Sequence, residues 1–256
     1  NMAVLGQVAT EAFPQLTITQ SQTWVPPQDG VVCIHVVGAG SAGLGGNLNH
    51  GGGAGAYAKI PTLAVTTSGS YTLVVGVGGE GTYGNFISGA GGASSIAGTN
   101  LTGTKTCGGG ASATSSLNGA GGTLSGSGEG WAGYTGGAGA VSGGAVGVFA
   151  TGNSGSLRIT DAAAGGLAMS GYGIICGGSL IYTHQYLTMS TDLAYPITAG
   201  DLCGGANLSN VPSTGYAYAG GGGIGGGGGA AAGGSIYQAW GGRGGDGIIL
   251  IQYLPW

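Results

Sequence analysis

Glycine recurs at every third position along several stretches of this chain, and that spacing restricts its fold more than any other feature. Gly40, Gly43 and Gly46 are spaced by three, as are Gly130, Gly133, Gly136 and Gly139. Gly220, Gly223, Gly226 and Gly229 continue the pattern, followed by Gly241, Gly244 and Gly247. A polyproline-II-type helix has three residues per turn, so such glycines would line one edge of each helix. That conformation makes no internal hydrogen bonds, and its amides and carbonyls need partners on neighbouring segments or in water. Glycine on the contact edge lets backbone approach backbone, and packed helices of this kind can then exchange amide bonds. Hairpin loops of glycine are the alternative arrangement.

Composition sharpens the problem. The chain has 66 Gly and 7 Pro in 256 residues, a level that without a period would read as low complexity. Each ordered glycine costs roughly 0.5–1 kcal/mol more than an alanine. Disorder, however, usually goes with high charge, and only 5% of residues here are charged. With a mean hydropathy of +0.31, an open chain would tend to associate. A dense backbone network is therefore expected.

Between the glycine runs lie strand signals. Leu16 and Ile18 alternate with Thr17 and Thr19. Val31–Val37 is a β-branched run with Val32, Ile34 and Val36 on one face and Cys33 and His35 on the other. Further strands are expected at 56–60, 70–77 and 247–253, the last ending in Ile249, Ile251 and Tyr253. No stretch carries a 3.6-residue apolar period, and glycine is spaced too closely for helices to propagate. The expected class is all-β with extensive irregular glycine-rich structure: a small β-sandwich-like frame plus packed polyglycine-II helices, and essentially no α-helix. Residues 1–21 are expected to form an N-terminal tether or attachment segment, and 22–256 a single glycine-rich domain with variable loops near 179–218. Trp131 and Tyr134 are expected to pack along a glycine-helix flank.

The same residues exclude several function classes. Lys59, Lys105, Arg158 and Arg243 are scattered, so no phosphate-binding footprint exists and nucleic acid is not an expected partner. The longest aliphatic run, Ile248–Ile251, is far short of the ~20 residues that span a bilayer, so no membrane insertion is expected. Cys33, Cys107, Cys176 and Cys203 lack CxxC spacing, which points away from metal or redox work. Free buried thiols are expected, and a Cys176–Cys203 bridge is the one pairing to check. A catalytic reading would need His184 with Asp192 or Asp201 and a Ser or Thr, yet no nucleophile elbow is present. The GxGxxG match Gly38–Gly43 follows a strand, but Leu44-Gly45-Gly46-Asn47 cannot supply the helix a dinucleotide site requires. The expectation is no enzyme, no cofactor and no metal. His35 reads as a satisfied strand histidine.

What remains is recognition. Tyr182, Tyr186, Tyr195, Tyr216 and Tyr218 concentrate, with His184, in two adjoining segments between glycine runs. Tyrosine offers large contact area at low entropic cost, and loops on a rigid scaffold are where binding residues collect. These six residues are the candidate receptor-binding set, although tyrosines of this kind also wedge loops onto a scaffold.

The residues Trp24-Val25-Pro26, then Asp29-Gly30-Val31 through Val37-Gly38-Ala39-Gly40, resemble the opening of the glycine-rich domain of many bacteriophage tail fibres. The close, Gly241-Gly242-Arg243-Gly244-Gly245-Asp246-Gly247 into Ile248–Tyr253, is similar to that domain's last strand. Gly55–Lys59 and Tyr71–Gly79 fit its middle. The polyglycine-II part also resembles the tip adhesins of T-even-like phages, which carry variable receptor-binding loops on glycine helices. This resemblance implies a virion tail-fibre component, extracellular after release, whose partner is a bacterial surface receptor (outer-membrane protein or glycan). It also implies other fibre subunits as partners, a homotrimer among the arrangements. Two alternatives stay open: a purely structural virion protein, and an ice-binding protein, which would need regular small or Thr residues on one flat face.

Overall fold

The computed structural model describes residues 15–45, 50–82, 87–140, 143–144, 146–147, 150–152, 154, 209–210, 217–218, 221–232 and 239–255. Strands are numbered in chain order. Five antiparallel strands form a first sheet: β1 (Gln15–Ile18), β14 (Ile248–Tyr253), β3 (Gly30–Val37), β4 (Tyr57–Val65) and β9 (Ala132–Tyr134), in that spatial order. A second antiparallel sheet runs β2 (Gln22–Trp24), β5 (Tyr71–Val74), β6 (Ser94–Gly98), β7 (Lys105–Cys107) and β8 (Leu124–Ser125). Among the described residues there is no helix, and the fold is all-β.

The β-branched run of β3 takes the centre of the first sheet. It pairs with β14 so that Val32 faces Tyr253, Ile34 faces Ile251 and Val36 faces Ile249. All six face inward, at 4% exposure or less, and meet Trp24, Tyr71, Leu73, Ile96 and Cys107 from the second sheet in one apolar cluster. Trp24 and Tyr71 stack obliquely there, ring centroids 5.2 Å apart. The pairing of β3 with β4 shifts register between Val32 and Ile34, opposite Pro61, which has no N–H to give to the ladder. Strand β4 therefore continues past the expected 56–60 to Val65 by way of a bulge.

The opposite face of the first sheet is buried as well. Val37, Tyr57, Ile248 and Leu250 form a second cluster with Ala54 and Val146, and Ile224 packs against it. Burial on both faces explains why Ile248–Ile251 reads as an unbroken apolar run rather than an alternating one.

Glycine segments cover that second face through backbone contacts. In residues 38–44, Gly38, Ser41 and Leu44 donate their amides to Ala56, Gly53 and His50 in turn. Ala39 and Ala42 donate to Gly92 and Gly89, while Gly40 and Gly43 donate to Gly245 and Gly242. Each third residue thus addresses the same neighbour, and successive residues address three different ones. The carbonyls of Ala39, Gly40 and Ser41 accept from Gly110, Gly79 and Gly228, which brings in further segments. The same three-residue step recurs where Gly247, Gly244 and Gly241 donate to Gly76, Gly79 and Thr82. A Cβ added at Gly40 would lie 1.9 Å from the Gly226 carbonyl oxygen, and one at Gly43 2.1 Å from that of Gly229. Only glycine permits that approach.

Several expectations are corrected. The strand expected over 70–77 stops at Val74, because Gly76 and Gly79 join the glycine network instead. Strands β6, β7 and β8 were not among the expected strands. Trp131 packs against the sandwich core, and Tyr134 ends a strand paired to Tyr57, so neither flanks a glycine helix. The 130–139 run is consequently not one element: Gly130 sits at φ 70°, Gly133 lies in β9, and only Gly136 and Gly139 enter the network. The run after 220 also breaks, since Gly226 donates to Gly223 across a turn with Gly225 at φ 67°.

Candidate receptor-binding surface

The candidate surface is framed by four two-residue strands on either side of the glycine run 221–229. β10 (Ser209–Asn210) pairs in parallel with β12 (Ala231–Ala232), and β11 (Ala217–Tyr218) with β13 (Ala239–Trp240). The offset is 22 residues at both pairs. The run between them is anchored in the network: Gly228 donates to Ser41, Gly227 to Gly144 and Gly225 to Asp246.

Of the sequence-derived residues, the structure places Tyr218, whose register partner is Trp240. Tyr182, His184, Tyr186, Tyr195 and Tyr216 lie outside the described residues, as do Cys176 and Cys203. Trp240, at the matched position of the second stretch, is not among the sequence-derived residues.

Two charged clips brace the fold, one in the glycine network and one beside the second sheet. Arg243 Nε donates to Glu80 at 3.0 Å and Nη2 to Asp246 Oδ1 at 2.9 Å, while Asp246 Oδ1 also accepts the Gly78 amide at 2.7 Å. These groups are exposed, and each pair is worth about 0–1 kcal/mol. The second clip is buried on its lysine side and half-buried at Glu129. Lys105 is fully covered, with its ammonium 2.6 Å from Glu129 and donating to the Thr102 and Ser127 carbonyls. Its hydrogen bond pulls the Glu129 carboxyl down to about 2. Glu129 reaches it from a loop in which Gly126, Gly128 and Gly130 also hold positive φ. In the sequence Lys105 is one of four scattered cations, and 24 residues separate it from Glu129.

His35 is enclosed in the first sheet, 2% exposed, with Nδ1 2.8 Å from the Tyr57 hydroxyl and Nε2 3.3 Å from Cys33 Sγ. Burial, with a smaller contribution from Lys59, lowers its pKa to about 4. Cys107 is buried and donates to the Val36 carbonyl, and burial pushes its thiol far up. Among the described residues, no three His, Cys, Asp or Glu side chains are grouped to hold a metal ion, and no helix is long and apolar enough to cross a membrane.

The glycine-rich domain family matches this sequence from residue 17 to residue 254, from β1 through the last strand. The chain belongs to the glycine-rich domain family. No curated protein matches it. As a member of the family, the chain shows its glycines in two uses, as turn residues between short strands and as contact points of the backbone network.

Proposed function

We propose that this glycine-rich domain protein is a bacteriophage tail-fibre or adhesin component that binds a bacterial surface receptor through the Tyr-rich stretch 179–218. The supporting observation is the division of labour between backbone and side chains. The glycine segments spend their amides and carbonyls on one another and present few side chains, which suits a platform. The tyrosines cluster in sequence just ahead of it, in the stretch that ends with β10 and β11. The three-residue recurrence of donors and acceptors supports a polyglycine-II reading of that platform. Its amide bonds, each worth roughly 0.5–1.5 kcal/mol net, offset the entropy of ordering glycine.

Replacing residues 180–216 by a short Gly-Ser loop tests the reading. Adsorption of the purified chain to a receptive bacterial strain should be lost while the melting transition persists. Unchanged adsorption and host range would overturn it.

A further inference from the structure

We infer that the turns at the far end of the glycine network form an interaction apex, and that Ile87 and Leu117 on it dock onto an apolar, uncharged patch of a protein on the bacterial surface. The inference rests on the adhesin reading above and names the class of its receptor.

Hydrogen-bond steps of three residues locate the apex. Between β7 and β8, the amides of Gly108, Ala111 and Thr114 donate to the carbonyls of Thr123, Ala120 and Leu117. The chain therefore runs out from the second sheet in three steps and turns over 114–117. Between β5 and β6, Gly92 and Gly89 donate to Val77 and Glu80, which sets the next turn beyond Glu80 with Ile87 on its returning arm. Between β3 and β4, Gly38, Ser41 and Leu44 donate to Ala56, Gly53 and His50, and the third turn follows Leu44. Cross-links hold the three turns at one height. Ser88 N donates to the Ala113 carbonyl at 2.9 Å, and Ala113 N donates to Ser88 Oγ at 2.8 Å. Gly119 N donates to the Gly51 carbonyl, and His50 Nδ1 lies 2.9 Å from Asn118 Oδ1. Gly241 donates to Thr82 at the same height, which brings the end of β13 to the apex. Strand β14 runs the other way, from Ile248 beside the network to the level where Gln252 faces Gln15. The described chain thus begins and ends at one pole and turns at the other.

Ile87 and Leu117 are 66% and 67% exposed, the highest values among the described large apolar residues. A single exposed aliphatic side chain is ordinary. These two stand on neighbouring turns, and the Ser88–Ala113 tie beneath them is buried, so the apex is presented ready-formed. Ser115, Ser116 and Asn118 are exposed around Leu117 and supply hydroxyl and amide groups. Residues 44, 45, 50, 82, 87, 88 and 113–119 include no Asp, Glu, Lys or Arg. An aliphatic centre without charge, inside a neutral polar rim, has the make-up of the centre of a protein–protein contact. An anionic glycan would meet no cation at these residues. Sugar hydroxyls laid over two aliphatic side chains would lose their water without replacement.

The test uses the whole purified chain and a panel of bacterial strains. On an adsorbing strain, proteinase K treatment of the cells should abolish binding, and periodate oxidation of surface glycans should leave it intact. Leu117→Asp and Ile87→Asp should each weaken adsorption about tenfold or more with the melting transition retained, since a carboxylate would be buried against an apolar partner. Val25→Asp and Val77→Asp, at sites 55% and 63% exposed but away from the apex, should leave adsorption within about twofold. If an Asp variant does not fold, Leu117→Ser and Ile87→Thr carry the comparison. Native adsorption by both folded apex variants would overturn the inference, and the adhesin reading would stand if replacement of 180–216 still abolished binding. Equal losses from Val25→Asp and Val77→Asp would also overturn it, because the effect would then belong to surface charge in general. Adsorption that survives proteinase K but not periodate would overturn the protein class of the partner. Failure of the native chain to adsorb to any strain would overturn the adhesin reading itself, and the inference with it.

Discussion

The sandwich and the glycine network hold the same chain together by opposite means. Between the sheets, Ile34, Ile251, Tyr71 and Leu73 bury large side chains, and the backbone lies several ångströms from its neighbour across the core. On the far side of the first sheet, segments 38–44, 50–56, 76–82 and 241–247 meet backbone to backbone, with amide and carbonyl as the contact surface. The first kind of core tolerates trimming, since a lost methyl leaves a small cavity. The second tolerates nothing added, since the first extra atom falls on a carbonyl oxygen. A chain with only 51 Leu, Ile, Val and Phe residues can therefore order a large part of its length.

Substitutions at matched sites give the widest separation between the two regions. Gly40→Ala or Gly43→Ala should destabilise by at least about 4 kcal/mol, visible as loss of a cooperative melt, because the surrounding segments are bonded on all sides and cannot retreat. Ile34→Val should cost about 0.5–1.5 kcal/mol. Gly103 sharpens the contrast. A Cβ there meets nothing within 4 Å, and only its φ of 71° resists substitution, so Gly103→Ala should cost about 1–2 kcal/mol. Equal melting temperatures for Gly40→Ala and Ile34→Val would break the comparison.

Much of the sandwich was legible beforehand because its signal is local. The alternation of Val32, Ile34 and Val36 and the run Ile248–Ile251 name a strand and its buried face without knowledge of their partners. Strands β6 to β9 were not legible, because strands of two to five residues with one or two large side chains each, such as Lys105–Cys107 and Leu124–Ser125, are too short to show an apolar alternation. The spacing of three was visible in the glycine runs. What it left open was continuity: nothing distinguishes Gly225, which turns the chain, or Gly133, which sits in a sheet, from Gly40, which touches another backbone. Those roles are set by tertiary neighbours. In the candidate surface, Tyr218 pairs in parallel with Trp240, and a pairing across 22 residues leaves no local pattern in the sequence.

A smaller effect lies at the boundary of the two regions, where His35 and Tyr57 hydrogen-bond on the network side of the first sheet. The folded protein holds His35 neutral, with its pKa lowered from 6.5 to about 4. The unfolded chain therefore binds the proton more readily between those values. The contribution is complete above about pH 6.5 and is lost as pH falls towards about 4, amounting to about 3 kcal/mol at most. Urea midpoints taken across that window should fall with pH for the native chain, and the slope should flatten in His35→Gln. An unchanged slope in His35→Gln would assign the acid sensitivity to other groups.

Amide hydrogen exchange across Gly38–Leu44 tests the central claim most directly. If the glycine segments are an ordered, backbone-bonded core, Gly40 and Gly43 should exchange at least about a hundredfold more slowly than free peptide, within reach of Ile34 and Val36 in β3. Exchange of Gly40 and Gly43 at free-peptide rates, beside a protected β3, would show that the glycines are linkers around a small sandwich and would contradict the account.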